Sequence, residues 1–214
     1  MADTLTGDDS LILPEFEVPP SEPLALVREW LDRAGARGVR EAWVAALATV
    51  GSDADGGHPV PSVRMVLIKE LDASGLIFTT YTSSRKGTDL AANPRASVVF
   101  YWRETLQQLK IDGVVEQLGD EESDRLFAER SPSAQATTVV SHQGRPLDSE
   151  ERLAADAMHL ADGGTELRRP ADWAGYRLAP TGIEFWHGRT DRLHLRLAYV
   201  LQSDGRWKAT RLQP

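Results

Sequence analysis

A close succession of short strand-like runs is the feature that most constrains the fold of this chain. The runs are rich in Val, Ile, Phe and Thr, residue types that favour extended backbone, and a Gly- and Asp-rich turn follows the first of them. Their short length suits strands better than helices. In the first half of the chain the predicted strands cover residues 43–50, 62–69, 76–81, 96–102 and 107–115.

The C-terminal part of the chain continues this pattern. The Ser203-Asp204-Gly205 turn separates its last two runs, as in a hairpin. Many short sequential strands with a few helices between them predict an antiparallel β-barrel decorated by peripheral helices, a mainly β arrangement of the α+β class, and not a parallel sheet. The C-terminal strands are predicted at residues 175–179, 183–187, 193–202 and 207–212.

Four segments are predicted to be helical. Apolar residues recur at helical spacing after Pro23, and Gly35 and Gly38 end that pattern. Ser84 is a candidate N-cap of a short helix, which Asn93-Pro94 would end. The four predicted helices cover residues 24–34, 84–93, 120–130 and 149–161.

The chain is predicted to be one domain with an N-terminal appendage. Residues 1–22 are acidic and contain Pro14, Pro19 and Pro20, so we expect a loose, flexible arm that could fold over a partner subunit. A chain of 214 residues has the size of one ordinary domain and can bury its own core. We therefore expect a single domain over residues 23–214.

Composition excludes several classes of function. The chain has no cysteine, which excludes disulfides, thiolate metal sites and cysteine nucleophiles. A formal net charge of −8 argues against a protein whose main partner is nucleic acid. No apolar run approaches the roughly 20 residues of a membrane helix, and the first residues lack the pattern of a secretory signal. These features predict a cytoplasmic protein that binds neither nucleic acid nor membrane.

Common catalytic and nucleotide-binding motifs are missing. The sequence has no Gly-x-Gly-x-x-Gly after a strand, no Walker-type loop and no Gly-x-Ser-x-Gly. The five histidines form no His-x-His or His-x-x-x-His pair, so we expect no metal.

Basic residues in predicted strands and at a helix start remain as candidates for a site. Arg64 and Lys69 are five residues apart and lie on opposite faces of a strand, which favours a solvated edge or pairs with acidic residues. Ser84-Arg85-Lys86 offers a hydroxyl, a guanidinium, an ammonium and backbone N–H groups that can converge on one phosphate. An ordinary capped helix with two solvated cations fits that segment equally well, so charge alone leaves both interpretations open.

An ordered series of motifs supplies the missing context. From residue 23 to residue 214 the chain resembles the pyridoxamine 5′-phosphate oxidase superfamily, which has the FMN-binding split β-barrel fold. The matching pieces are, in order, Arg64-Met-Val-Leu-Ile-Lys69, Phe78-Thr-Thr, Ser84-Arg-Lys-Gly, Asn93-Pro-Arg, Tyr101-Trp, Gln108, Gly113-Val-Val-Glu, Glu184-Phe-Trp-His-Gly and Arg192-Leu-His-Leu-Arg196.

The resemblance implies FMN as the cofactor and a homodimer with FMN at the subunit interface. Arg85 and Lys86 would hold the flavin phosphate, and some contacts would come from the second subunit. A dianionic phosphate needs several donors, which suits these residue types. The implied cofactor-binding residues are Arg64, Met65, Val66, Leu67, Ile68, Lys69, Thr79, Thr80, Ser84, Arg85, Lys86, Gln108, Gln143, Gly144, Trp186 and Arg196.

The substrate side departs from the vitamin B6 enzymes of that superfamily. Their phosphate-binding Tyr, Arg and Ser correspond here to Leu126, Arg130 and Ala134, so two of three polar anchors are absent. Gly144 also stands where a serine commonly contacts the flavin. The chain is more similar to the phenazine-biosynthesis flavin oxidases, called PhzG-type, which handle tricyclic dicarboxylates. That similarity rests on Leu13-Pro-Glu-Phe-Glu-Val-Pro-Pro, residues 24–34, Gly38-Val-Arg-Glu, Tyr101-Trp-Arg-Glu and Leu212-Gln-Pro.

This similarity implies an FMN-dependent oxidase that aromatises a hexahydro- or dihydrophenazine carboxylate, with hydride transfer to the flavin and reoxidation by O2 to H2O2. The flavin carries the difficult chemistry, so no residue is identified as certainly catalytic. Lys69, Arg130, Arg192 and His194 are the implied substrate contacts, with Arg192 pairing to a carboxylate and His194 orienting the ring or moving a proton. Pyridoxamine or pyridoxine 5′-phosphate oxidase activity is the first alternative, and a non-catalytic flavin-binding protein is the second.

Overall fold

The computed structural model describes residues 6–52 and 57–214, and its strands form one antiparallel sheet. Eight strands and five α-helices lie in these residues. The strands are β1 (Val44–Ser52), β2 (Pro59–Leu71), β3 (Leu76–Tyr81), β4 (Arg95–Trp102), β5 (Gln107–Gln117), β6 (Trp173–His187), β7 (Leu195–Leu201) and β8 (Trp207–Arg211). The helices are α1 (Pro23–Ala36), α2 (Arg85–Ala92), α3 (Asp120–Ala128), α4 (Pro132–Val140) and α5 (Glu150–Asp162).

Six of the strands close into a ring. The hydrogen-bonded order is β3-β2-β1-β4-β5-β6, and β6 also pairs with β3. Strands β7 and β8 continue the sheet outward from β6. This ring-like antiparallel sheet with peripheral helices confirms the predicted α+β fold class.

Strand β6 closes the ring because its two halves pair with different strands. Residues 173–178 pair with β3, whereas residues 182–187 pair with β7. The prediction of two separate strands here was wrong. One strand is possible because Pro180 lies opposite Gly113 beside a register shift, where the ladder is already interrupted. A Cβ at Gly113 would lie 2.2 Å from the carbonyl oxygen of Ala179, so this close crossing requires glycine.

The core fills the ring and the space beneath α1. Alternate residues of the strands point inward, and Leu47, Val98 and Ile111 are completely buried. Helix α1 adds Trp30, whose ring lies edge-on to Phe185 with 4.9 Å between centroids. The other set of alternate residues therefore faces out of the ring.

Part of the N-terminal segment is packed, although the sequence predicted a loose arm over residues 1–22. Phe16 is the last residue of a short 3₁₀ helix, Pro14–Phe16, and is 2 % exposed. The Glu15 carboxylate is also buried, and it accepts hydrogen bonds from Trp30 Nε1 at 2.5 Å and from the Arg33 guanidinium at 2.8 Å. The burial of the Phe16 ring and the hydrogen bonds to the Glu15 carboxylate compensate for the conformational entropy that is lost when the segment becomes ordered. Residues 1–5 of the predicted arm lie outside the described residues.

Four of the helices, α1, α2, α3 and α5, occur where the sequence predicted them, whereas α4 was not predicted. The Ser131 hydroxyl accepts a hydrogen bond from the Ala134 amide, and Pro132 occupies the first helical turn. In the described part of the chain, no helix combines the length and the apolar character that a membrane crossing requires.

Candidate functional site

A cleft that we call the cationic cleft opens where β2, β3, the start of α2 and the end of α4 meet. Its volume is about 310 Å³. Lys69, Lys86 and Arg130 contribute positive charge, and none of its described lining residues is acidic. The full lining is Met65, Val66, Leu67, Lys69, Thr79, Thr80, Tyr81, Lys86, Arg130, Thr138, Ser141, Gln143 and Trp173.

The Lys86 side chain is the most buried of these three cations. Ser84 caps α2 by accepting a hydrogen bond from Gly87, which places Lys86 in the first helical turn. The Lys86 Nζ atom donates to Gln143 Oε1 at 3.0 Å, and the residue is only 8 % exposed. Burial, reinforced by the positive charge of Arg64, lowers the pKa of Lys86 to about 8. No carboxylate among the described residues is ion-paired with it.

Arg64 faces away from the cationic cleft but lies close enough to influence Lys86. Its guanidinium donates to Thr49 Oγ1 and to Ser62 Oγ, each at 2.7 Å, and lies 3.7 Å from the Asp89 carboxylate. Burial lowers the pKa of Arg64, while the charge of Asp89 opposes that shift. Arg64 is thus held by β1, β2 and α2 at the edge of the basic region.

Arg130 reaches the cationic cleft from the segment between α3 and α4. Its guanidinium donates to the Ala134 carbonyl and to Thr138 Oγ1, and it lies over the Trp173 ring at 5.4 Å from the centroid. Burial lowers the pKa of Arg130, and its Nε–H is buried without a hydrogen-bond partner. An unused buried donor beside an open cleft indicates a position for an acceptor group of a ligand.

A second opening, which we call the C-terminal cleft, lies near the chain terminus and has a volume of about 270 Å³. Arg196 donates through Nε to Glu184 at 2.7 Å and through a second nitrogen to the Gln213 carbonyl. The hydrogen bond and charge of Glu184 raise the pKa of Arg196. The lining residues are Val99, Gln108, Lys110, Glu184, Trp186, Arg196 and Pro214.

The β6–β7 loop carries the two remaining predicted substrate contacts. The His194 ring lies 4.9 Å from the Trp186 ring, between centroids, which places it beside the C-terminal cleft. Arg192 is exposed and has a φ of 68°, a left-handed backbone conformation that is uncommon for a residue other than glycine.

The predicted site residues therefore fall into two groups on one chain. Met65, Val66, Leu67, Lys69, Thr79, Thr80, Lys86, Arg130 and Gln143 line the cationic cleft, and Gln108, Trp186 and Arg196 line the C-terminal cleft. His194 adjoins the second group through Trp186. Neither lining includes Arg64, Ile68, Ser84, Arg85, Gly144 or Arg192, and the ligand roles of all these residues stay predictions.

Some lining residues were not identified from the sequence. Tyr81, Thr138, Ser141 and Trp173 complete the cationic cleft, and the Tyr81 hydroxyl bonds to both the Thr138 carbonyl and Ser141 Oγ. The Ser131-Pro132 start signal of α4 was the one clue that could have brought Thr138 and Ser141 into the prediction. Trp173 carries no such signal because its position depends on the pairing of β6 with β3.

The two clefts are joined by a row of outward-facing residues across the sheet. Met65 is paired with Ala46, Ala46 with Val99, and Val99 with Lys110, so these four residues share one face. Strands lie about 4.8 Å apart, which separates Met65 from Lys110 by about 14 Å. Three large apolar side chains are exposed on β2 beside this row, Val63, Met65 and Leu67. A contiguous exposed apolar patch of this kind indicates a protein contact surface.

Two family models match the chain. The model described as pyridoxamine 5′-phosphate oxidase matches residues 31–161, and the model described as the pyridoxine 5′-phosphate oxidase C-terminal dimerisation region matches residues 173–214.

Two enzyme groups are represented among the similar proteins. A dihydrophenazinedicarboxylate synthase from Burkholderia lata is 42 % identical over 99 % of this chain and 97 % of its own length. A pyridoxine/pyridoxamine 5′-phosphate oxidase from Cupriavidus pinatubonensis is 41 % identical over 90 % of this chain and 89 % of its own. The crystal structure of PhzG from Burkholderia lata 383 in complex with tetrahydrophenazine-1-carboxylic acid superimposes with a TM-score of 0.90 and 41 % identity, covering 97 % of this chain and all of that one.

Proposed function

The chain belongs to the pyridoxamine 5′-phosphate oxidase family, and on that premise we propose that it is an FMN-dependent oxidase of phenazine biosynthesis. Family membership and the similarity to two dihydrophenazinedicarboxylate synthases support an oxidoreductase of this kind. The proposed substrate is a hexahydro- or dihydrophenazine carboxylate, which the enzyme aromatises.

The observation that carries the proposal is the buried ammonium of Lys86. A buried cation without an anionic partner is unfavourable, and here the Arg64 charge adds to the penalty. A dianionic phosphate at the start of α2 would relieve both effects through Lys86, Arg85 and the capped helix N-terminus. The residues present therefore suit the phosphate of FMN.

The proposed position of the flavin requires two subunits. The cationic cleft offers phosphate-binding groups, whereas Gln108, Trp186 and Arg196 lie in the C-terminal cleft, beyond the row through Ala46. We propose that a second copy packs against the exposed apolar side chains of β2 and brings its C-terminal cleft to the cationic cleft of the first. A matched dimerisation region at residues 173–214 supports this arrangement, because it contains Trp186 and Arg196.

The cationic cleft suits a carboxylate substrate better than a phosphorylated pyridine. Leu126 is 3 % exposed and packs in the core beside Phe127, and Ala134 has no hydroxyl, so neither can bind a phosphate through its side chain. Arg130 and Lys69 remain as cations at the cleft. A guanidinium and an ammonium at one cleft can bind a carboxylate through charge-assisted hydrogen bonds, which supports the choice of a phenazine carboxylate.

In this mechanism the side chains of the protein bind and orient the substrate. FMN, when bound, would supply the two-electron acceptor for the substrate, with O2 as the proposed final oxidant and H2O2 as its product. Arg130 and Lys69 would bind the substrate carboxylate, and Arg192 would provide a further positive charge from the partner subunit. His194, adjacent to Trp186, would orient the ring system or accept a proton as it aromatises.

The test is turnover of purified protein reconstituted with FMN. We expect the flavin absorbance to bleach anaerobically with a reduced phenazine carboxylate and to return in air with formation of H2O2. Pyridoxine 5′-phosphate is the comparison substrate, and faster bleaching by it would replace the proposed function with the vitamin B6 reaction. Protein that binds FMN but is bleached by neither substrate would instead be a flavin-binding protein without this catalysis.

A further inference from the structure

Two carboxylates that have no part in the site described above hold the β6–β7 loop, residues 188–194. Asp9 accepts a hydrogen bond from Thr190 Oγ1 at 2.9 Å, and Asp191 lies within the loop itself. Asp191 Oδ2 accepts a hydrogen bond from the Arg189 guanidinium at 2.6 Å, and Asp191 Oδ1 accepts one from Arg189 Nε at 3.2 Å. The same Oδ1 atom accepts the Leu193 amide N–H at 2.9 Å. These contacts, led by the Leu193 amide, lower the pKa of Asp191 and keep its carboxylate ionised. Asp191 thus ties the beginning of the loop to its end.

The residue enclosed by these contacts is Arg192, whose backbone is in the left-handed region at φ 68°. A residue with a Cβ adopts that conformation only when surrounding contacts compensate for it. The Leu193 amide bond to Asp191 and the Arg192 amide bond to the Arg189 carbonyl, at 3.1 Å, are such contacts. Backbone strain that is retained by local hydrogen bonds indicates that the direction of the Arg192 side chain is important for function.

The same loop sets the proton position on His194. The Arg189 backbone N–H donates to His194 Nδ1 at 3.0 Å, so Nδ1 is the acceptor and the neutral ring carries its proton on Nε2. Arg189 thus contacts both residues, with its backbone N–H bonded to the His194 ring and its guanidinium paired with Asp191. His194 therefore presents an N–H donor on the side away from the loop backbone.

We propose that Asp191, acting through Arg189 and the Leu193 amide, is a positioning residue that sets the direction of Arg192 and the tautomer of His194. The inference rests on the proposed function, in which those two side chains contact the substrate. Asp191 itself touches neither substrate nor flavin. Its removal leaves the residues of both clefts in place and abolishes the contacts that join Arg189 to the Leu193 amide.

The experiment compares Asp191→Ala and Asp191→Asn with a matched control, Asp204→Ala. Asp204 makes the same kind of two-residue pair, with Arg206, in the turn at the other end of β7. FMN-loaded enzymes are assayed with a reduced phenazine carboxylate, and FMN affinity is measured by flavin fluorescence. We expect Asp191→Ala to raise KM about tenfold and to leave FMN affinity unchanged. Asp191→Asn should raise KM less, because its side-chain oxygen can still accept a hydrogen bond from the Leu193 amide. Asp204→Ala should have the KM and the FMN affinity of the wild type.

A second measurement reads the His194 tautomer directly. The ¹⁵N shifts of the ring nitrogens are recorded about two pH units above the ordinary histidine pKa, with His194→Gln used for assignment. We expect proton occupancy on Nε2 in the wild type and in Asp204→Ala, and a mixture of tautomers in Asp191→Ala. An unchanged KM or an unchanged tautomer in Asp191→Ala overturns the inference. If the wild type does not oxidise the phenazine substrate, the proposed function fails, and the tautomer measurement alone then decides the role of Asp191.

Discussion

Lys86 combines a structural disadvantage with a binding advantage. Its ammonium is buried, has no carboxylate partner among the described residues, and lies near the positive charge of Arg64. A group kept in an unfavourable state by the fold is characteristic of binding sites, where the ligand supplies the missing interaction. The same side chain should therefore oppose folding of the empty protein and favour the flavin-bound form.

Replacement of Lys86 by methionine tests both effects. We expect Lys86→Met to raise the free energy of unfolding of the empty protein by about 1 to 3 kcal/mol at pH 7, because a buried charge is removed while the apolar stem is kept. FMN affinity should fall by at least about tenfold through loss of a charge-assisted phosphate contact. Urea unfolding and flavin fluorescence measure the two quantities. Lys208→Met, at an exposed lysine of β8, should change neither, and a Lys86→Met protein that is less stable when empty would contradict the argument.

The pKa of Lys86 also predicts how stability depends on pH. Between pH about 8 and the ordinary lysine pKa of 10.5, the unfolded chain holds a proton on this lysine that the folded protein has lost. The unfolded state then binds more protons, so the free energy of unfolding rises with pH in this window. We expect the stability difference between Lys86→Met and the wild type to be largest below pH about 8 and to shrink toward pH 10.5, as measured by urea unfolding at several pH values. A difference that is constant across this range would show that Lys86 is not the group that titrates.

Arg130 should act on the substrate and not on the flavin. We expect Arg130→Gln to raise KM for a phenazine carboxylate by about tenfold to a hundredfold, because a charge-assisted contact to the carboxylate is lost, while FMN affinity stays within about twofold. Steady-state kinetics and flavin fluorescence separate these effects. Arg152→Gln, at an exposed arginine on α5, is the control and should leave both values unchanged. Equal losses of FMN and substrate affinity in Arg130→Gln would assign Arg130 to the cofactor instead.

Among the elements, the N-terminal segment contributes more to stability than its composition indicates. The Phe16 side chain is almost fully buried against Trp30, with 6.1 Å between ring centroids, whereas Ile12 in the same segment is 88 % exposed. We expect Phe16→Ala to lower the free energy of unfolding by about 3 to 5 kcal/mol, because a large aromatic side chain leaves a cavity in the core. Ile12→Ala should change it by less than about 0.5 kcal/mol. Urea unfolding of both variants checks the contrast, and equal effects would mean that the segment is not anchored through Phe16.

Periodicity and turn residues were sufficient to predict most elements, but not those that depend on distant pairing. Helix α2 begins after Ser84 and ends before Asn93-Pro94, as expected, because helix capping depends on residues that are neighbours in sequence. The strand predicted over residues 175–179 does not end there, because a register shift opposite β5 lets β6 continue through Pro180. Glu15 and Phe16 were assigned to a loose arm because no residue near them in sequence indicates that both contact Trp30.

At the scale of the whole molecule, the motifs predicted a set of site residues, and the resemblance implied that a second subunit supplies some of them. The sequence did not indicate which of these residues share a cleft on one chain. Lys86 and Trp186 belong to motifs that follow in order along the chain, which gives no information on the distance between them. The structure places them at separate clefts because they lie on different sides of the row through Ala46. In a symmetric dimer with two shared sites, each site takes one cleft from one copy and the other cleft from its partner. A chain that carries both parts of the predicted site in separate places fits this arrangement.

Disruption of the exposed apolar face of β2 tests this arrangement. Val63 is 69 % exposed in the single chain, lies on the proposed subunit contact and lines neither cleft, while Met158 on α5 is 65 % exposed and also lines neither cleft. We expect Val63→Glu to shift the protein from dimer to monomer in sedimentation velocity, because a desolvated carboxylate at an apolar contact is strongly unfavourable. FMN affinity should fall when the dimer is lost, since Gln108, Trp186 and Arg196 would come from the partner subunit. Met158→Glu should remain a flavin-binding dimer. A monomeric Val63→Glu protein that still binds FMN with wild-type affinity would mean that one chain holds the flavin alone.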